Sequence, residues 1–118
     1  MTISITQFFQ TQQAIKIHHW ITDDYSLHVL LDDFLKDYSN LVDEIVENFL
    51  SVKENNIEIL DFKPFDAAFN SLSSLWELAN QSFNEVRENI GTMPKGMRTV
   101  LDEVESTMRK YAYLFKKF

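Results

Sequence analysis

Apolar residues along this chain recur at three- and four-residue steps in four blocks. That spacing places them on one face of an α-helix. In residues 4–21 the face is Ile5, Phe8, Phe9, Gln12 and Ile15, then His19 with Trp20. In residues 25–52 it is Leu27, Leu30, Leu31, Phe34, Leu35, Tyr38, Leu41, Val42, Ile45, Val46 and Phe49. Residues 67–89 carry Phe69, Leu72, Leu75, Trp76, Ala79, Phe83 and Val86, with Ile90 following. Residues 97–118 carry Val100, Leu101, Val104, Met108, Tyr111, Ala112 and Phe115.

The boundaries between blocks are equally legible. Thr22-Asp23-Asp24 is a tight turn of capping residues, with Thr22 or Asp24 capping the second helix. So short a connection makes the first two helices antiparallel neighbours and brings His19 near His28. Lys53-Glu54-Asn55-Asn56 ends the long helix, and Ile57, Ile59, Leu60, Phe62 and Phe65 surround Pro64 in a connecting segment. Asp66 is placed to cap the third helix. Gly91-Thr92-Met93-Pro94-Lys95-Gly96 is the breaker cluster, with Gly91 expected just past a helix end in the left-handed conformation. The expectation is an all-α chain, a four-helix bundle in a single domain over 1–118.

Composition narrows the function. Only two Gly and two Pro are present, which suits long helices, and the absence of Cys excludes disulfides and thiolate metal sites. No run approaches the roughly 18 apolar residues of a membrane span. The opening MTISITQFFQ lacks the basic flank of a secretory signal, so a cytoplasmic protein is expected. The net charge of −7 divides into −10 over residues 1–94 and +3 over residues 95–118. Such an acidic balance argues against DNA binding through the phosphate backbone. The basic end (Arg109, Lys110, Lys116, Lys117) reads as cations placed favourably at a helix C-terminus.

Candidate chemistry lies on the second helix. His28, Asp32, Asp43 and Glu47 border its apolar face. At about 100° per residue, 28 to 32 advances roughly 40° beyond one turn, and 32 to 43 about 20° beyond three, so the four form one slanted row. Carboxylates with imidazole suit iron, manganese or zinc. Asp32 and Asp43 are about 16 Å apart along the axis, too far to share an ion within one helix. Pairing the helix with an antiparallel copy changes this. The row is symmetric about the point between Asp37 and Tyr38, so 28 mirrors 47 and 32 mirrors 43. A two-fold dimer would then build two composite sites, His28 and Asp32 of one chain meeting Asp43 and Glu47 of the other. Asp37, close to the axis, is expected to meet Lys36 or its own copy.

These residues resemble the Dps family, the ferritin-like DNA-binding proteins from starved cells. The resemblance rests on His19-Trp20, then Ser26-Leu27-His28, then Asp32, Asp43 and Glu47 within Val42-Asp43-Glu44-Ile45-Val46-Glu47, and covers about residues 12–50. It implies a ferritin-like bundle in which His19, His28 and Asp32 of one subunit and Asp43 and Glu47 of another hold one or two iron ions. It implies Fe(II) oxidation by O2 or peroxide, iron detoxification or storage, and assembly of dimers into a twelve-subunit shell. The chain departs from the family in its shorter, glycine-free turn between His19 and His28 and in lacking a basic tail.

Two other readings fit the same residues. One is a non-enzymatic ferritin-like interaction or scaffold protein, of the size of small virus-encoded accessory proteins, that binds a protein partner. The other is a bundle whose histidines and aromatics line a small-ligand pocket. His18 points about 100° from His19 and is expected at the surface or as a backup ligand, while Trp76 and the Phe stripes read as core.

Overall fold

In the computed structural model, residues 1–60 and 71–118 are described. The chain is mostly helical. Strand β1 (Thr2–Ser4) leads into α1 (Thr6–Ile21), α2 (Tyr25–Leu50) and strand β2 (Asn56–Glu58). Then follow α3 (Leu72–Gln81), α4 (Asn84–Glu88), a 3-10 turn (Ile90–Thr92) and α5 (Gly96–Phe115). Helix α1 packs against α2 and α3, and α2 also packs against α5.

The α1–α2 hairpin is set by local chemistry. Asp24 caps α2, its carboxylate accepting from the Leu27 N–H at 3.1 Å, and Thr22 Oγ1 accepts from the Asp24 N–H at 3.2 Å. The expected helix over 4–21 begins two residues later, because the first residues form a strand. Ile3 and Ile5 point inward and are buried, while Thr2 is exposed and Ser4 half-buried between them. β1 pairs in parallel with β2, Ile3 opposite Ile57, and the ladder ends with the Ile5 N–H donating to the Glu58 carbonyl at 2.9 Å. Two antiparallel helices return the chain to the end where it began, which is the crossover a parallel pair requires.

The third expected helix is broken. Residues 67–70 and the Asp66 cap lie outside the described residues, and Ser71 caps α3 by accepting from the Ser74 N–H at 3.0 Å. At Ser82 the helix bends: its hydroxyl donates to the Ala79 carbonyl at 2.5 Å and accepts from the Tyr38 hydroxyl at 2.8 Å. Serine bonding back to the preceding turn bends helices. The bend accompanies the burial of Phe83 against Phe8 and Tyr38, at ring separations of 5.7 and 5.5 Å. Burial raises the Tyr38 hydroxyl pKa, so Tyr38 is a neutral donor at all ordinary pH. Gly91 corrects the expectation for it: it lies in the 3-10 turn, and no glycine has positive φ.

The core centres on Phe34, fully buried among Tyr38, Trp76, Tyr111 and Phe115, with ring centroids 4.8–6.0 Å away. On the α5 side, Asp37 accepts from the Tyr111 hydroxyl at 2.5 Å and lies 3.4 Å from Lys110. Asp37 is therefore engaged with α5, where Lys36 or its own copy was the expected partner. Burial and then the Asp37 carboxylate raise the pKa of Tyr111.

Candidate metal-ligand face on α2

The tight α1–α2 turn does bring His19 and His28 together. Their rings stack at 3.8 Å with 20° between planes. Each ring bonds the other residue's backbone: His19 Nδ1 donates to the His28 carbonyl at 2.9 Å, and His28 Nδ1 to the His19 carbonyl at 2.7 Å. A carbonyl oxygen only accepts, so both Nδ1 atoms carry protons, and Nε2 is the ring nitrogen of each that could coordinate a metal. A metal-binding histidine is characteristically held this way, its other nitrogen bonded to a backbone carbonyl. Tyr25 stacks on the outer side of His28 at 6.5 Å.

The two other histidine-region expectations are reversed. His18 is the buried histidine, at 8 % exposure, and Trp20 is 66 % exposed. Helix α1 buries Phe8, Thr11, Ala14, Ile15 and His18, a stripe that turns Trp20 to the far side. Thr11 and His18 belong to the inward face although both are polar, which is why the apolar pattern misplaced it.

The row on α2 rotates outward along the helix. His28 and Asp32 are half-buried beside α1, whereas Asp43 and Glu47 are exposed. Asp32 forms an ion pair with Lys36 at 3.4 Å. Among the described residues, no three His, Asp or Glu side chains of one chain lie close enough to hold a metal ion. His19 and His28 are thus joined, Asp32 is turned to Lys36, and Asp43 and Glu47 stand apart.

The open side of α2 holds more than this row. Eighteen residues make five full helical turns, so Tyr25 shares its angle with Asp43, Val29 with Glu47, and Asp32 with Leu50. Tyr25, Val29 and Leu50 are 80, 40 and 41 % exposed. Sequence reasoning left this apolar component out, because its residues lie within the polar row and off the core face. Beside the face lies a shallow groove of about 560 Å³, lined by Gln12, Gln13, Lys16, Ile17, Trp20, Leu35 and Ser39. It contains no histidine, unlike the small-ligand pocket considered above.

On the other flank, Glu44 meets Glu103 of α5. The shared hydrogen bond, then desolvation, then the charges of Glu103 and Glu47 raise the Glu44 pKa above its ordinary value. A raised carboxyl pKa contributes stability that is fully present below the unfolded value near 4.5 and is lost as pH rises through the folded value. Glu44→Gln should therefore raise the melting temperature at pH 7 by about 1–3 °C, the scale of one relieved like-charge pair. It should also flatten the pH dependence just above 4.5. Thermal melts of both proteins from pH 4 to 7 check this, and parallel curves would refute it.

No helix among the described residues is long and apolar enough to cross a membrane. The chain belongs to a family of unknown function, DUF5856, which matches residues 19–115 and so includes all five candidate ligands. No curated protein and no solved structure matches the chain.

Proposed function

We propose that this member of DUF5856 is a ferritin-like four-helix protein of the Dps type, whose iron site is completed between two copies. His19, His28 and Asp32 of one chain would hold the ion together with Asp43 and Glu47 of the second. The observation that carries this reading is the reciprocal histidine pair. It presents two Nδ1-anchored imidazoles, with His28 one helical turn from Asp32 on the side of α2 that carries the exposed Asp43 and Glu47. The donor set of imidazole nitrogen and carboxylate oxygen fits iron, and also manganese or zinc.

The exposed apolar residues support the same pairing. With the axis between residues 37 and 38, Tyr25 meets Leu50 of the second copy, and Val29 meets Val46. Apolar faces apolar and ligand faces ligand under one symmetry operation. The dimer would cover residues that are costly to leave in water. Within the site, carboxylates stabilise Fe(III) and the histidines retain Fe(II) near neutral pH. Bound Fe(II) is the substrate and supplies the electrons for O2 or peroxide, so the outcome is iron detoxification, with storage if dimers close into a shell.

Aerobic addition of Fe(II) to the wild-type protein, followed by ultraviolet absorbance, tests the reading. Oxidation faster than in buffer, saturating at a ratio set by two sites per dimer, is expected. Oxidation at the buffer rate, with no metal retained after anaerobic dialysis against Fe(II), would overturn it. In that case the second reading gains, a non-enzymatic interaction protein. Trp20 and Ile21, each about two-thirds exposed at the tip of the α1–α2 hairpin and outside the ligand row, favour it.

A further inference from the structure

We infer that Lys36 is an internal stand-in for the metal, which makes dimerisation through α2 metal-linked. This rests on the composite site proposed above and adds its regulation. Among the described residues, Asp32 is the one candidate ligand already paired with a cation, Lys36 Nζ at 3.4 Å. Lys36 also sits at the centre of the open face, where the axis between residues 37 and 38 places it opposite Ser39 of the second copy. Both Lys36 side chains of a dimer therefore lie between its two sites.

The charge on the face gives this position its consequence. Each composite site gathers three carboxylates, Asp32 from one chain and Asp43 and Glu47 from the other, so a dimer confronts six carboxylates with two lysines. Like charges brought together across an interface oppose association strongly. Asp33 also lies on this side of α2, while Glu44 and Asp37 turn towards α5. Lys36 is the one cation of α2. Without metal, the lysines offset part of the repulsion. When a divalent ion enters, it takes Asp32 from Lys36. An exposed pair of this kind is weak, so exchange is easy.

The test uses Mn(II), which air does not readily oxidise, with wild-type protein and Lys36→Gln. Lys36 is exposed, so the variant should fold, and far-UV circular dichroism verifies that. Sedimentation equilibrium reads the dimer and calorimetry reads the metal. Wild type should dimerise weakly without Mn(II) and more tightly with it. In Lys36→Gln, metal-free dimerisation should weaken about tenfold, as for loss of a charge that offsets interfacial repulsion. Its Mn(II) affinity should rise several-fold. Mn(II) binding by wild type with Lys36→Gln identical in both readouts would overturn the role of Lys36 and leave the site standing. Failure of wild type to bind Mn(II) at all would remove the site and this inference together. Binding by a protein that remains monomeric would also overturn it.

Discussion

Replacing Asp43 by Asn and Glu47 by Gln together should abolish Fe(II) oxidation and weaken Mn(II) binding by at least about a hundredfold, while the fold is unchanged. Disturbing even a supporting group around a metal site costs about 10–100-fold in affinity, and this variant would remove two of the proposed ligands. Stability is expected to stay within about 0.5 kcal/mol, since both side chains are exposed and neither forms an ion pair among the described residues. Any change should be a small gain, because two acids four residues apart on a helix repel. The double variant keeps the size and shape of both side chains, so lost binding would be a matter of charge and ligation. The checks are the oxidation assay, a Mn(II) titration and a thermal melt, run side by side. Retained binding would move the site away from α2's open face. Lost binding with a collapsed melt would mean that the two carboxylates hold the fold.

Phe34→Ala should destabilise the chain by about 3–5 kcal/mol, the usual cost of emptying a fully buried aromatic position. Total stabilities are typically about 5–15 kcal/mol, so this is a large share. Phe34 is the ring on which α2, α3 and α5 converge, through Trp76 of α3 and Tyr111 and Phe115 of α5. Its removal leaves a void where the three helices meet. Urea unfolding monitored by tryptophan fluorescence reads this directly, since Trp76 lies at the cavity edge. Phe34→Leu fills part of the void and should cost less than half as much. A loss below about 1 kcal/mol for the alanine variant would mean that the helices close around the gap.

Much of this architecture is visible in the pattern of apolar residues. Helix α2 extends from Tyr25 to Leu50, close to its expected range, because eleven apolar positions at helical spacing leave the helix no competitor. The Asp24 cap and the three-residue turn are equally local, and they alone dictate that His19 and His28 approach. The row of His28, Asp32, Asp43 and Glu47 and its palindrome are properties of one helix, so periodicity is enough to find them.

What the sequence leaves open depends on contacts between distant residues. β1 and β2 are three residues each and more than fifty apart, and neither carries a signal until the α1–α2 hairpin sets them side by side. The bend at Ser82 needs the Tyr38 hydroxyl, which arrives from another helix. Whether His18 or Trp20 faces the core turns on burying the polar Thr11 and His18, and an apolar count cannot weigh that choice. The same holds for function. The amino-acid sequence by itself determined which residues share the open face of α2. Only the tertiary structure decided that the two histidines lock each other's Nδ1 atoms and that Asp37 is spent on Tyr111. Helical periodicity is a one-dimensional property, whereas hydrogen-bond partners are chosen among all groups that folding brings within reach.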